Sequence, residues 1–128
     1  MTALSVFAVA AGGALGALAR YSVGAAALRF LGAGFPYGTL AVNVTGAFIL
    51  GLTMGWISHS GHLTPDLQKF WIIGFLGAFT TFSAFTMETL TMLQRQEYML
   101  FALYTGGSVI LALVALAAGL YMARTVPL

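Results

Sequence analysis

GFLGAFTTFSAF, residues 74–85, decides the fold, because it sets glycine, threonine and serine inside an apolar segment of membrane-spanning length. Lipid offers no partner to a free backbone amide or carbonyl. A hydroxyl-rich break at that depth is therefore tolerated only where it faces protein or a water-filled path. Interrupted apolar segments are typical of ion or substrate sites in small transporters. The alternative is an unbroken helix whose small residues let a neighbour pack closely. We favour a helix broken near Gly77 to Thr81.

The composition around this stretch is that of a membrane protein. The chain has 128 residues, of which 60% are hydrophobic and 6% charged, whereas soluble domains carry about 25% charged residues. The length predicts one all-α transmembrane domain over residues 1–128, with spans of about 20–25 residues. A net charge of +2 is too small and too dispersed for a nucleic-acid surface. We therefore expect membrane lipid, and no nucleic acid, as a partner.

Four spans are predicted, over residues 4–31, 37–57, 67–93 and 98–122. The turn at residues 32–36 contains two glycines and a proline, which end helices, and residues 58–65 and 94–97 form polar loops.

The basic residues near the loops predict no preferred orientation. Lys69 and Arg124 fall on one side of the membrane, and Arg29 and Arg95 on the other. A chain without a preference can insert both ways and pair with an inverted copy of itself. The alternative is a weak bias set by other features. The charges thus favour an antiparallel dual-topology homodimer without requiring it.

The first two spans each carry a row of small residues with one polar side chain. Gly12, Gly16, Arg20 and Gly24 recur every four residues and share a face. A buried arginine is costly and is a functional candidate by default. It either anchors the fold on carbonyls or draws anions into an entrance, although it can also snorkel to a headgroup.

The second span repeats the pattern with Thr39, Asn43, Ala47, Gly51 and Gly55. A buried amide must find partners. Asn43 therefore either joins two helices or offers its NH₂ to a passing anion.

The third and fourth spans hold the remaining candidates. Phe82 and Phe85 share a helix face, and their ring edges carry positive quadrupole density that suits an anion. Hydroxyls at a helix break are free to face a path, and the stretch has them at Thr80, Thr81, Ser83 and Thr86. Tyr104 and Ser108, one turn apart, extend these donors. Glu88, the one carboxylate within a span, has three open roles: a vestibule residue, a partner of Arg20, or a proton carrier.

Signatures of enzymes are missing from the sequence. It has no cysteine, no phosphate-binding glycine loop and no nucleophile elbow. We interpret His59 and His62 as solvated loop residues.

The chain resembles the bacterial fluoride channel family called Fluc or CrcB. The matching stretches are GGALGALARY (residues 12–21), YGTLAVNVTGAFILG (residues 37–51) and GFLGAFTTFSAFTMET (residues 74–89). The resemblance implies a passive fluoride-selective channel in the bacterial inner membrane that lets cytoplasmic fluoride leave. It also implies an antiparallel homodimer with two pores.

The resemblance further implies a role for individual residues. The carbonyls of Gly77 and Thr80 from both subunits would surround one structural Na⁺. Phe82, Phe85 and Asn43 match the fluoride pore. Ser83, Tyr104 and Ser108 match polar pore-side positions, Glu88 a carboxylate near the pore end, and Arg20 a structural or vestibular arginine. The sequence departs from the family at Ala78, Ala84 and Ala112, where a glycine or a hydroxyl is common.

Two other functions stay open. A proton-coupled small multidrug exporter has similar size and topology, and only Glu88 could carry its protons. A non-transporting membrane subunit would use the small-residue faces to hold a partner.

Overall fold

The computed structural model describes residues 2–59 and 61–125. Within those ranges it has four helical segments long and apolar enough to cross a membrane: Ala3–Leu31, Tyr37–His59, Pro65–Gln94 and Tyr98–Thr125. All lie within three residues of the predicted bounds. The predicted all-helical, four-span architecture is confirmed. Ser60, in the predicted polar loop, lies outside the described residues.

The ends of the helices follow from local sequence. The Thr2 hydroxyl accepts from the Ser5 amide at 3.1 Å and caps helix α1, Ala3–Leu31. Gly32 ends it with φ 79°, a left-handed conformation that favours glycine. Helix α2 spans Tyr37–His59, and helices α5, Phe82–Gln94, and α6, Tyr98–Thr125, are joined by a turn in which Gln96 has φ 59°.

The third segment is not one continuous α-helix. Helix α3, Pro65–Gln68, leads into a π-helix, Lys69–Leu76, and then into a short helix α4, Gly77–Phe79. Thr80 and Thr81 are extended, with ψ 158° and 118°, before α5 begins at Phe82. The break thus falls within the predicted stretch.

The π-helix was not predicted. Its residues, KFWIIGFL, form a plain apolar run whose pattern does not distinguish an α-helix from a π-helix. The backbone there lies directly on α1: a Cβ added at Gly12 would meet the Phe70 carbonyl carbon and the Phe75 amide nitrogen, each at 3.0 Å. The π-helical hydrogen-bond pattern therefore occurs where two distant parts of the chain are in contact. Local sequence does not encode such a contact.

Most of the glycines predicted on the faces of the first two spans form two helix seams, but a Cβ added at Gly24 would meet nothing within 4 Å. Gly12 and Gly16 of α1 lie against the π-helix, where a Cβ at Gly16 would overlap the Phe75 carbonyl. Gly51 of α2 lies in the same way on the Leu116 carbonyl of α6, and Gly119 of α6 lies on α2. Close backbone approach is how small residues join helices in lipid. The four spans are thus packed in two pairs.

A polar cluster ties the start of α1 to the start of the third segment. Lys69 Nζ donates to Ser5 Oγ at 2.6 Å, and Ser5 Oγ donates to Asp66 Oδ1 at 2.9 Å. Lys69 and Asp66 also form an ion pair at 3.3 Å. The cluster fixes one end of the first seam.

Candidate functional site

The break in the third segment is held by one side chain of α2. Asn43 Nδ2 donates to the Thr81 carbonyl at 2.9 Å, and the Thr81 amide donates to Asn43 Oδ1 at 2.7 Å. The Asn43 side chain thus satisfies both the carbonyl and the amide of Thr81, a residue that has left the helix. Asn43 therefore joins two helices, as one of its two predicted roles required. The second N–H of Nδ2 makes no hydrogen bond to a described residue.

The same arrangement leaves the carbonyls of residues 77–80 without their helical donors, Gly77 and Thr80 among them. The Thr81 amide, four residues after Gly77, donates to Asn43. The Ala84 amide, four residues after Thr80, donates to Thr81 Oγ1 at 3.2 Å. Carbonyls at a helix break need a hydrogen-bond donor or a cation. Gly77 and Thr80 are thus at the two ends of a run of backbone oxygens, residues 77–80, that have no helical donor.

An inner cavity of about 240 Å³ lies beside the break. Its lining is part apolar and part hydroxyl- and amide-bearing: Asn43, Thr80, Thr81, Phe82, Phe85, Ser108, Val109 and Ala112. The Ser108 hydroxyl is buried and has no hydrogen-bond partner among the described residues. An unpaired buried donor calls for a ligand or water.

The two predicted phenylalanines border this cavity in different environments. Their ring centroids are 5.8 Å apart. Phe85 is buried, whereas Phe82 is 77% exposed in the single chain. Ser83 is also exposed, and its hydroxyl lies 3.3 Å from Thr81 Oγ1. The cavity is therefore open on the side of Phe82.

A larger cavity of about 380 Å³ is bordered by Thr39, Glu88, Arg95 and Glu97. Glu88 accepts hydrogen bonds from Thr39 Oγ1 at 2.7 Å and from the Tyr104 hydroxyl at 2.6 Å. Of the three open roles for Glu88, its position at this cavity fits a vestibule residue. We call this space the outer cavity.

Two aromatic rings connect the residues of the two cavities. Tyr104 is 1% exposed, and its ring lies 5.4 Å from that of Phe85, centroid to centroid. The Tyr104 hydroxyl donates to Glu88, which borders the outer cavity, whereas Phe85 borders the inner cavity. Tyr104 and Phe85 thus form a chain of contacts from Glu88 of the outer cavity to the lining of the inner one.

Arg20 stands apart from this arrangement. It is half-buried on α1 and borders neither cavity. Over residues 2–59 and 61–125 the one ion pair joins Lys69 and Asp66, so the Arg20–Glu88 pair considered as one alternative is not formed. Its structural or vestibular role stays a prediction.

The sequence pattern missed several residues of the site. Arg95 and Glu97 border the outer cavity, whereas the sequence indicates only a polar turn at both and a loop charge at Arg95. Gly46, buried against the break, was not singled out, although it lies three residues after Asn43 and so on the same helix face. That spacing was the available signal.

Comparison with known proteins places the chain in a family. The family model described as "CrcB-like protein, Camphor Resistance (CrcB)" matches residues 7–120. Relatives named "Fluoride-specific ion channel FluC" include one from Caulobacter vibrioides (strain NA1000 / CB15N), 47% identical over 119 residues. The match covers 92% of this chain and 94% of the relative.

Other relatives with that name agree. One from Phenylobacterium zucineum (strain HLK1) is 48% identical over 92% of this chain and 94% of its own length. One from Rhizobium etli (strain CIAT 652) is 42% identical over 94% of this chain and 97% of its own length. With four helices of spanning length, these matches identify a multi-pass bacterial membrane protein. The chain belongs to the CrcB family.

Proposed function

We propose that this protein is a passive, fluoride-selective channel that lets cytoplasmic fluoride leave the cell. The observation that carries the proposal is the 47% identity, along 92% of the chain, to a relative named as a fluoride-specific ion channel. The geometry supports it independently, because a broken membrane helix borders a cavity supplied with hydroxyl, amide and aromatic-edge groups.

The proposed path runs from the outer cavity past Tyr104 and Phe85 to the inner one. Fluoride is a small, strongly hydrated anion, so a path must replace water by other donors. The Ser108 hydroxyl and the free N–H of Asn43 are such donors in the inner cavity, where the edges of Phe82 and Phe85 add weak positive potential. At the outer cavity, Glu88 is hydrogen-bonded to Thr39 and Tyr104, whose O–H dipoles offset part of its charge. Thr39 adds a hydroxyl to the lining of the outer cavity, whereas Ser83, in contact with Thr81, borders neither cavity.

The functional unit in this proposal is an antiparallel homodimer with two pores. Phe82 and Met87, on the α5 side of the break, are 77% and 67% exposed in the single chain, and Gly77 is exposed as well. An inverted second copy would cover this face and close the open side of the inner cavity. The loop charges support such pairing, since they are equal on the two sides.

A structural Na⁺ at the dimer centre completes the proposal. The Gly77 and Thr80 carbonyls lack helical donors, and two copies would present four of them. Hard cations bind oxygen ligands, and the backbone carbonyls of broken membrane helices are such ligands for Na⁺. The described residues contain no group of three or more His, Cys, Asp or Glu for a metal, so the backbone is the ligand set that fits.

Ion flux from the purified protein in liposomes tests the proposed function. Fluoride should leave fluoride-loaded vesicles down its gradient without an added proton gradient, while chloride in matched vesicles stays inside. Absence of flux would favour the non-transporting subunit. Flux that requires a proton gradient would favour the proton-coupled exporter.

Replacing Na⁺ tests the structural cation separately. In solutions where N-methyl-D-glucamine replaces Na⁺, the dimer should dissociate more readily and fluoride flux should fall. Ligand binding stabilises the state that holds it, by an amount that grows with ligand concentration. Unchanged dimerisation and flux after exhaustive Na⁺ removal would refute the site.

A further inference from the structure

Gly46 lies directly beneath the break in the third segment. It is buried on α2, and a Cβ added there would overlap Thr80 Cγ2 and lie 3.3 Å from Phe79 Cδ1. The space that a side chain would occupy is thus already filled by the methyl group of Thr80.

The Thr80 side chain is held in that space from its other side. Its hydroxyl and its amide both donate to the Leu76 carbonyl, at 3.0 Å and 3.1 Å. Because threonine branches at Cβ, fixing the hydroxyl also fixes the methyl group. The methyl therefore cannot turn away from Gly46 unless the hydroxyl leaves Leu76.

The next residue is held by the same helix. Asn43, three residues before Gly46, makes both hydrogen bonds to the Thr81 backbone. Helix α2 therefore contacts both extended residues. Its Asn43 side chain is hydrogen-bonded to the Thr81 backbone, and the Thr80 methyl group packs in the space left by Gly46.

We infer that Gly46 is a positioning residue for the proposed cation site. Its missing side chain sets how deeply Thr80 lies against α2, and this depth sets the position of the Thr80 and Gly77 carbonyls. The inference rests on the proposed function, because the Na⁺ ion is part of that proposal. The contact between Gly46 and Thr80 is a feature of the single chain.

The substitution Gly46→Ala has two ways to relieve the overlap. Thr80 can rotate and lose its hydrogen bond to Leu76, or the backbone can shift against the Asn43 hydrogen bonds. The backbone shift moves the Thr80 carbonyl directly, and the rotation removes one of the two hydrogen bonds that hold Thr80 on Leu76, so the carbonyl is less firmly positioned. Since cation binding depends on the position of every ligand oxygen, we expect weaker Na⁺ binding.

A double-substitution cycle with Thr80→Ser tests the inference. Serine keeps the hydroxyl and the backbone carbonyl but lacks Cγ2, so it removes the atom that Gly46→Ala meets. We expect Gly46→Ala to raise the Na⁺ concentration needed for half-maximal stabilisation of the dimer by about tenfold, as overpacking costs of this kind imply. In the Thr80→Ser background, the same substitution should raise it less than about threefold.

Gly51→Ala is the matched control. It lies on the same helix, but its Cβ would overlap the Leu116 carbonyl, a backbone atom of α6. Thr80→Ser should not rescue it. Equal rescue of both alanine variants, no rescue of Gly46→Ala, or a Na⁺ dependence unchanged by Gly46→Ala would overturn the inference.

Two further outcomes separate folding and transport from positioning. If Gly46→Ala alone does not fold, recovery of a Na⁺-stabilised dimer by Thr80→Ser supports the inference, and failure of the double variant to fold overturns it. The readout is Na⁺-dependent stability, so a parent protein that shows Na⁺ stabilisation but no fluoride flux would refute the proposed function and leave the positioning role standing.

Discussion

Asn43 replaces two missing helical hydrogen bonds with a single side chain. A residue that leaves a helix within the membrane exposes an amide and a carbonyl that lipid cannot satisfy. The carboxamide matches this pair because it carries one acceptor and one donor side by side, and the structure uses both on Thr81. The second N–H of Nδ2 has no partner among the described residues, and in the proposed channel it is the group that would donate to fluoride.

We expect Asn43→Asp to lower both stability and fluoride flux. The aspartate still accepts from the Thr81 amide but sets a carboxylate oxygen against the Thr81 carbonyl, at a cost of about 1–3 kcal/mol. Thermal unfolding in detergent and liposome flux measure the two effects. Thr45→Val is the control, because the exposed Thr45 hydroxyl donates only to Ala41 of the preceding turn. An aspartate variant with the stability and flux of the parent would contradict both roles.

Glu88 separates the channel from a proton-coupled exporter. Both of its oxygens accept hydrogen bonds, from Thr39 and Tyr104. Glu88→Gln keeps the shape and one acceptor, so a passive channel should retain fluoride flux to within about tenfold, the cost of a weakened hydrogen bond. An exporter that moves protons through Glu88 would stop altogether. Glu97→Gln, which borders the same cavity, is the matched control.

At this scale the sequence allowed prediction of side chains whose chemistry is unusual for lipid. Asn43, Glu88 and Ser108 stand out because polar groups in a membrane span need a reason, and the structure brings them to the two cavities. Gly46 did not stand out, because it lacks a chemical group. Its importance depends on Thr80, which is distant in sequence and meets it only in the folded chain.

Among the elements, the glycine seams determine how the helices pair. A leucine side chain is no better solvated by another helix than by lipid tails, so the hydrophobic effect does not pair helices in a membrane. Helices associate instead where small residues let their backbones come into contact. Gly12 and Gly16 bring α1 onto the π-helix, and Gly51 brings α2 onto α6. The seams could be predicted from four-residue spacing. Their partner helices could not, because each span offers only a face and several faces are similar.

Gly16→Ala should destabilise the first seam, whereas Gly13→Ala should not. The added Cβ at Gly16 would overlap the carbonyl oxygen of Phe75 and lie 2.9 Å from its carbonyl carbon, while that at Gly13 meets only the Gly74 carbonyl at 4.0 Å. Backbone atoms cannot turn aside, so we expect a loss of about 1–3 kcal/mol for Gly16→Ala. Thermal unfolding of both variants measures the difference. Equal stability of the two would show that the seam is looser than the structure has it.

The whole molecule has an uncovered helix break in its third span and equal numbers of basic loop residues on the two sides of the membrane. A single chain leaves Phe82 and the Gly77 position exposed at membrane depth. Polar groups of a break facing lipid are unfavourable, so a second surface must cover them. The balance of two basic residues on each side would let the same chain insert in both orientations and provide that surface.

Shifting the charge balance tests this pairing. One double variant, Arg29→Gln with Thr125→Lys, shifts the basic residues to the side of the membrane that holds Arg124. The other, Arg124→Gln with Gln94→Lys, shifts them to the side that holds Arg95. All of these positions are exposed. Each variant should insert in one orientation, since basic residues favour the cytoplasmic side. Alone, each should then lack an inverted partner and lose fluoride flux.

Co-expression of the two oppositely biased variants should restore fluoride flux, because each supplies the inverted copy that the other lacks. Topology reporters on the C-terminus measure orientation, and fluoride release from vesicles measures function. The co-expressed pair is also the control for misfolding, since a damaged subunit would not recover in the presence of another damaged one. If either variant, fixed in a single orientation and expressed alone, conducts fluoride as the parent does, the functional unit is not an antiparallel dimer, and the break must be covered by a copy of the same orientation or by a different protein.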